Sequence, residues 1–354
     1  MYTNNGVNKK TVSIIILSYN SCQDLMECIP SILEQIGSDH EIIVVDNGSV
    51  DGTESFIKKN YSNIQFIENG SNLGYAAGNN IGFRHAKGEY IVVVNPDTIP
   101  GNNWLSALIA PLQMNPEIAI TTSKILMHTD KHLINTCANH SHYTGLNFCR
   151  GLNQLSSSFK KPLEVGAISG CSFATRRKVI EELGGFDSNF FLYMEDDDLS
   201  WRARLAGYKI MFVPSSVIYH KYRLTIAPWK EYYLERNRYI LLLKNYRLKT
   251  LFLLLPVLLV TEAITWGHAI LNGLPYMQSK LRAYWWLISN LNLVIPERKE
   301  IQSYRKISDK ELIKLLDWRI PFEQVIVNES IKNQVDKIFN SIYKIYFYAI
   351  IKIV

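Results

Sequence analysis

The 354-residue chain has few cysteines, five in all, at positions 22, 28, 137, 149 and 171, and none forms a Cys-x-x-Cys pair. This scatter disfavours a zinc site or a disulfide framework and fits reduced thiols in a cytoplasmic compartment. No Gly-x-Gly-x-x-Gly motif occurs, which disfavours a dinucleotide-binding oxidoreductase. There is no internal repeat and no low-complexity tract. Residues 1–10 form a polar tail without the apolar core of a signal peptide. The net charge of +6 is modest, and no recognised nucleic-acid motif accompanies it.

What the chain does have is 47% hydrophobic residues, enough for one large α/β domain plus an appendage. Three apolar runs read as buried strands: Thr11 to Leu17, Glu41 to Val45 and Tyr90 to Val94. Each ends in polar residues: Ser18-Tyr19-Asn20, Asp46-Asn47-Gly48-Ser49-Val50-Asp51 and Asn95-Pro96-Asp97. Between the first two, Leu25, Ile29, Ile32, Leu33 and Ile36 recur at helix spacing after Asn20 or Ser21 as N-cap. Strand, helix, strand predicts a parallel sheet with right-handed crossovers.

Pro96 cannot continue a central strand, so Asp97 falls just past the carboxyl end of the third run. Ligands of open α/β sheets bind there, and a carboxylate at that point suits a divalent cation carrying phosphate oxygens. An ordinary strand-to-turn Asp has the same local signature. The run Glu195-Asp196-Asp197-Asp198 leads into a helical pattern with Leu199, Ala203 and Ala206 on one face. It reads either as an acidic helix start or as catalytic carboxylates.

Taken in order, these motifs resemble family 2 glycosyltransferases of the GT-A fold. The resemblance rests on Ile14 to Asn20, Val45 to Thr53, Asn72 to Asn80, Asn95-Pro96-Asp97 and Phe191 to Arg202, and it covers about residues 10–245. The Asn-Pro-Asp variant is similar to a rhamnosyltransferase-like branch. The resemblance implies an inverting transfer of a sugar, L-rhamnose from dTDP-rhamnose in that branch, from a nucleoside diphosphate to a lipid-linked or cell-envelope glycan acceptor. It implies Asp196 as general base and Asp198 as helix cap. Asp97 and His220 would hold Mg2+ or Mn2+, although Asn95 replaces the first Asp of the usual Asp-x-Asp. Tyr19, Asn20, Asp46, Asn79 and Asn95 would bind the nucleotide, with Asn80 near sugar or phosphate. Gly170, Glu195 and Arg202 would line the acceptor and sugar site. Arg236-Asn237 matches a recurrent element of the branch, read either as helix-surface charge or as a phosphate contact. Two other readings stand beside this one: a nucleotidyltransferase on a similar sheet, and a catalytically inactive membrane-bound subunit of glycan assembly.

The expected organisation is a polar tail (1–10), a mostly parallel, Rossmann-like GT-A domain (11–245) and a C-terminal helical, membrane-associating region (246–354). Lys221 to Thr250 holds eight basic residues against Glu231 and Glu235, a formal +6. Leu251 to Ser279 then carries one ionisable acid, Glu262, and one His, His268. Basic and aromatic followed by apolar is how a membrane-surface segment reads. Leu251–Leu271 is long enough for a bilayer span, an interfacial or re-entrant pair, or plain core. The expected location is the cytoplasmic face of the membrane, by peripheral or re-entrant association; the sequence is silent on oligomeric state.

Overall fold

A computed structural model describes residues 11–222, 227–326 and 329–354. The tail 1–10 and Arg223 of the basic segment lie outside them. The strands in chain order are β1 Val12–Ser18, β2 His40–Asp46, β3 Gln65–Glu68, β4 Tyr90–Val94, β5 Thr98–Pro100, β6 Ile118–Met127, β7 Ile134–Thr136, β8 Asn139–Ser141, β9 Asn147–Cys149, β10 Leu163–Glu164, β11 Ser172–Arg176 and β12 Lys209–His220. The helices are α1 Cys22–Leu33, α2 Thr53–Asn60, α3 Gly74–His85, α4 Trp104–Met114, α5 Arg177–Leu183, α6 Glu195–Leu205, α7 Pro228–Asn245, α8 Leu248–Asn272, α9 Leu274–Ser289, α10 Leu291–Tyr304, α11 Asp309–Lys314 and α12 Glu329–Ile353.

The main sheet runs β10-β12-β6-β11-β4-β1-β2-β3. β1 pairs in parallel with both β2 and β4, and β12 in parallel with β6. β11 enters antiparallel between β4 and β6. The expected α/β sheet flanked by helices is what the chain forms, but it is mixed rather than mostly parallel, because β5, β7, β10 and β11 all pair antiparallel. Val92 and Ile14 are fully buried because helices cover both faces of this part of the sheet, as continuous β-branched runs require. The strand order reverses between β1 and β4, so their carboxyl ends open a crevice. Asp51 ties two helix starts together there: it accepts from Thr53 N at 3.2 Å and from Cys22 N at 2.8 Å.

Helices α7 to α12 form the C-terminal helical region. Its core holds Leu241, Leu254, Val294, Leu312 and Tyr343, and it continues into the α/β part through Tyr143, Phe190 and Trp201. The helical layer therefore begins with α7, inside the stretch expected to close the α/β domain. Among the described residues, α8 is the one helix long and apolar enough to cross a bilayer by length and composition.

The basic segment does not present its charge as the sequence suggested. Arg236, Arg238 and Lys244 are buried. Arg238 pairs with Glu235 and Glu262, and Lys244 with Asp187 and Asp198. Lys221 pairs with Asp24 and Glu27. Much of the formal +6 is spent inside the protein, and Arg247 and Lys249 are the described basic residues of the segment that stand exposed.

Candidate active site

One rim of the crevice is built from the ends of β1, β2 and β4. Tyr19 is 50% exposed there, as a stacking residue would be. Asp46 is buried; its Oδ2 accepts from Gly48 N (3.2 Å) and Ser49 N (2.9 Å). Its Oδ1 has no partner among the described residues, which leaves one acceptor for an incoming donor group. Asn20 sits at φ 51°, donates its N–H to Ser49 Oγ and accepts from Val50 N at 2.9 Å through Oδ1. Its amide carbonyl thus staples the β1 end to the next loop.

Two expected ligand contacts move out of the crevice. Asn79 is fully buried in α3, and its amide donates to Tyr75 O one turn back. Asn80 spends its amide on Phe186, donating to the carbonyl at 2.7 Å and accepting from the N–H at 2.9 Å. The glycines of this stretch serve packing. Gly74 has φ +82°, and a Cβ there would stand 2.5 Å from the Phe191 ring and carbonyl.

Asp97 and His220 meet across the crevice, with His220 Nε2 3.2 Å from Asp97 Oδ2. The other ring nitrogen, Nδ1, lies 2.9 Å from Asn135 Oδ1. Asn135 Oδ1 accepts the Nδ1–H and Asp97 Oδ2 the Nε2–H; with the ring held by Asn135, a cation at Nε2 would take the place of that second proton. Asp97 Oδ1 is buried without a hydrogen-bond partner among the described residues. An orphaned carboxylate oxygen beside an oriented imidazole fits a divalent cation. Among the described residues no group of three His, Cys, Asp or Glu side chains could hold one, so most of the shell has to come from phosphate oxygens and water. Asn95 is partly exposed beside them, its N–H donating to Cys171 O at 3.0 Å.

That bond joins this rim to the acid loop. Gly170, next to Cys171, donates its N–H to Asp196 Oδ2 at 2.8 Å and accepts from the Tyr75 hydroxyl at 2.7 Å. A Cβ on residue 170 would stand 3.3 Å from that Asp196 oxygen, so glycine keeps the carboxylate open. Asn139 of β8 donates to Asp196 Oδ2 at 2.9 Å and to Asp197 Oδ2 at 3.0 Å. Asn147 of β9 donates to the same Asp197 oxygen. Asp197 N adds a bond to Asp196 Oδ1 at 2.9 Å.

The four carboxyls of the run are therefore four different groups. Burial raises the Asp196 carboxyl, and the Gly170 N–H and Asn139 amide pull it back. Burial and the Asp196 charge hold Asp197 and Glu195 well above the usual carboxylate range. Asp196 alone is partly exposed, and it accepts from three donors. Glu195 is buried with Oε2 unpartnered among the described residues, which takes it off the open acceptor surface. Asp198 does not cap α6. It is fully buried and takes the Arg202 Nε–H at 2.7 Å, with Lys244 at 3.4 Å and Asn245 at 3.1 Å. Burial pushes it up, but Lys244 and Arg202 pull it further down, below its ordinary value. Arg202 spends its remaining donors on Leu183 O and Gly185 O, so it is a strut of the fold and not an acceptor contact.

The loop before Asp196 is strained, with Phe191, Tyr193 and Met194 at φ 59°, 70° and 68°. α7 holds it there. The Asn237 amide reaches Phe190 O, Leu192 O and Tyr193 O at 3.0, 2.9 and 2.7 Å. Arg236 donates to Asn189 O and Phe190 O. Arg236 and Asn237 are thus neither surface charge nor a phosphate contact. Asn135, Asn139 and Asn147 carried no sequence signal, because lone asparagines in a polar stretch look like loop.

The crevice lies at a strand-order reversal, with a cation-fitting rim joined through Cys171 and Gly170 to a partly exposed carboxylate. The family model "Glycosyl transferase family 2" matches residues 13–184. The chain is similar to N-acetylglucosaminyl-diphospho-decaprenol L-rhamnosyltransferase of Mycobacterium tuberculosis, 29% identical over 214 residues, covering 51% of this chain and 66% of that protein. It thus spans slightly less than two thirds of that relative. In fold it is similar to GalNAc-T7 with UDP, GalNAc and Mn2+ (TM-score 0.54, 21% identity, covering 67% of this chain and 48% of that one). It is also similar to a mannosyltransferase from Pyrobaculum calidifontis in complex with GDP-Man and Mn2+ (TM-score 0.51, 16% identity, covering 96% and 86%). Residues 13–184 thus carry a glycosyltransferase family 2 domain, and the chain has the GT-A type of fold.

Proposed function

We propose that the protein is an inverting glycosyltransferase that moves a sugar, L-rhamnose in the leading case, from a nucleoside diphosphate to a lipid-linked acceptor. The observation that carries this reading is the partly exposed carboxylate of Asp196, held by three donors and joined through Gly170–Cys171 to the Asp97 rim. Asp196 takes the proton of the acceptor hydroxyl as its oxygen attacks the anomeric carbon. The bond from that carbon to the diphosphate breaks on the opposite face, and the diphosphate leaves with the electron pair. Tyr19 and Asp46 bind the nucleoside, with Asn95 beside the diphosphate. Asp97 and His220 would hold Mg2+ or Mn2+, and that ion would neutralise charge on the leaving diphosphate. The name of the mycobacterial relative supports both the sugar and the diphospho-lipid acceptor.

The test is a thermal-shift screen of UDP-, dTDP- and GDP-sugars with Mg2+, Mn2+ or EDTA, since a ligand of the folded state raises the Tm by mass action. Asp97→Ala is expected to abolish the metal-dependent part of the shift and to reduce transfer in parallel. Equal activity in EDTA and in Mn2+ would make Asp97 a hydrogen-bonding residue instead.

The helical region supports peripheral association with a membrane. Along α8, Phe252 (72% exposed) and Leu259 (67%) face outward with Leu248 and Leu255, and α9 adds Trp285. Glu262 faces inward, where Arg238, Tyr239 and Tyr284 hydrogen-bond to it. A spanning α8 would carry this ion network into hydrocarbon, whereas an interfacial helix keeps it dry and buries only the apolar stripe. The cytoplasmic side is part of the same proposal. In flotation with liposomes the full-length protein is expected to rise, and to do so with neutral lipid and in high salt, because the contact is mainly apolar. A protein that stays at the bottom, monodisperse without detergent, would overturn the membrane reading.

A further inference from the structure

Lys230 stands apart from the other cations of α7. It is partly buried, yet it has no carboxylate partner among the described residues, and the remaining residues contain no Asp or Glu. Its neighbours are aromatic or neutral. The ammonium lies 4.9 Å from the centre of the Tyr193 ring. Trp229 stacks on the same ring at 6.1 Å and is 49% exposed. Burial pushes the nearby Cys149 thiol up to about 11, so it stays neutral and gives Lys230 no counter-charge. A half-desolvated ammonium without an anion is costly, and an arriving anion removes that cost.

Its position says which anion. Tyr193 lies three residues before Asp196. Cys149 is the cross-strand partner of Asn139, whose amide binds the Asp196 carboxylate. Lys230 is thus linked through Tyr193 and Cys149 to the general-base side of the crevice. We propose that Lys230, with the Tyr193–Trp229 stack, forms an acceptor subsite that takes the phosphate or diphosphate joining the acceptor sugar to its lipid. This rests on the glycosyl-transfer reading above and assigns that site its acceptor handle. The aromatic pair offers a flat apolar face to the sugar ring or first lipid carbons, while the ammonium meets the oxyanion.

The test uses full-length protein in detergent with farnesyl diphosphate and farnesol as probes. Binding is read by tryptophan fluorescence with a nucleoside diphosphate and Mn2+ present at saturation, so that the donor's phosphate subsite is filled. Wild type is expected to prefer the diphosphate by about tenfold or more. Lys230→Met should remove that preference, Lys230→Arg should keep most of it, and nucleotide affinity should be unchanged in both. A preference that survives Lys230→Met overturns the subsite. A parallel loss of nucleotide affinity also overturns it, by moving Lys230 to the donor diphosphate. If no nucleoside diphosphate binds to any variant, the glycosyl-transfer reading fails, and the farnesyl arm still decides Lys230.

Discussion

Asp196→Asn is expected to leave donor binding almost unchanged and to lower turnover by about two to four orders of magnitude. The amide keeps the shape of the side chain and can still accept from Gly170 N, but it cannot take a proton. The measurement is kcat beside the donor-induced thermal shift. Near-normal turnover would remove Asp196 as base. It could not hand the role to Asp198, which lies fully buried between Lys244, Arg202 and Asn245. In the wild type the active form requires Asp196 ionised, and its carboxyl is raised. The acid limb of the pH–rate profile is therefore expected above the usual Asp range.

Lys244→Met is expected to be the most destabilising single change, at about 3–5 kcal/mol, because it leaves Asp187 and Asp198 buried against each other without their shared cation. A Tm lower by roughly 6 °C or more would show it; an unchanged Tm would mean the network contributes nothing net. The pH dependence follows from Asp198, whose folded-state carboxyl lies below its unfolded value. Its contribution is fully present above the unfolded pKa and is lost as pH falls through the folded one. The stability gap between wild type and Lys244→Met is therefore expected to be widest near neutral pH and to close in acid.

The same two residues show what could be read from the sequence. β1, β2 and β4 were legible almost to the residue, because a strand covered on both faces must be a continuous apolar run. The polar residues at their ends followed, and with them the location of Asp97. α6 was read as amphipathic on Leu199 and Ala203, yet the structure also buries Asp198, Arg202 and Arg204. α7 was read as a charged surface for the same reason. Periodicity assumes that charges face water, and here they face partners far along the chain: Lys244 meets Asp187, and Arg238 meets Glu262. No local count of charge contains that information. The hairpin β8–β9 was invisible because its strands are three residues each, and its role lies in two side-chain amides that contact α6 only after folding.

The geometry of α7 also sets how this enzyme can be divided. Every residue proposed to touch nucleotide, cation or base lies at or before His220, so by motif the chain looks separable there. Yet Asn237 restrains the loop that aims Asp196, Lys244 and Asn245 anchor the first turn of α6 through Asp198, and Glu235 and Arg238 lock α7 itself to α9 and α8. The catalytic half has no independent claim to its own active conformation. Grafting it onto another relative's tail would transplant the reagents without the vice that holds them.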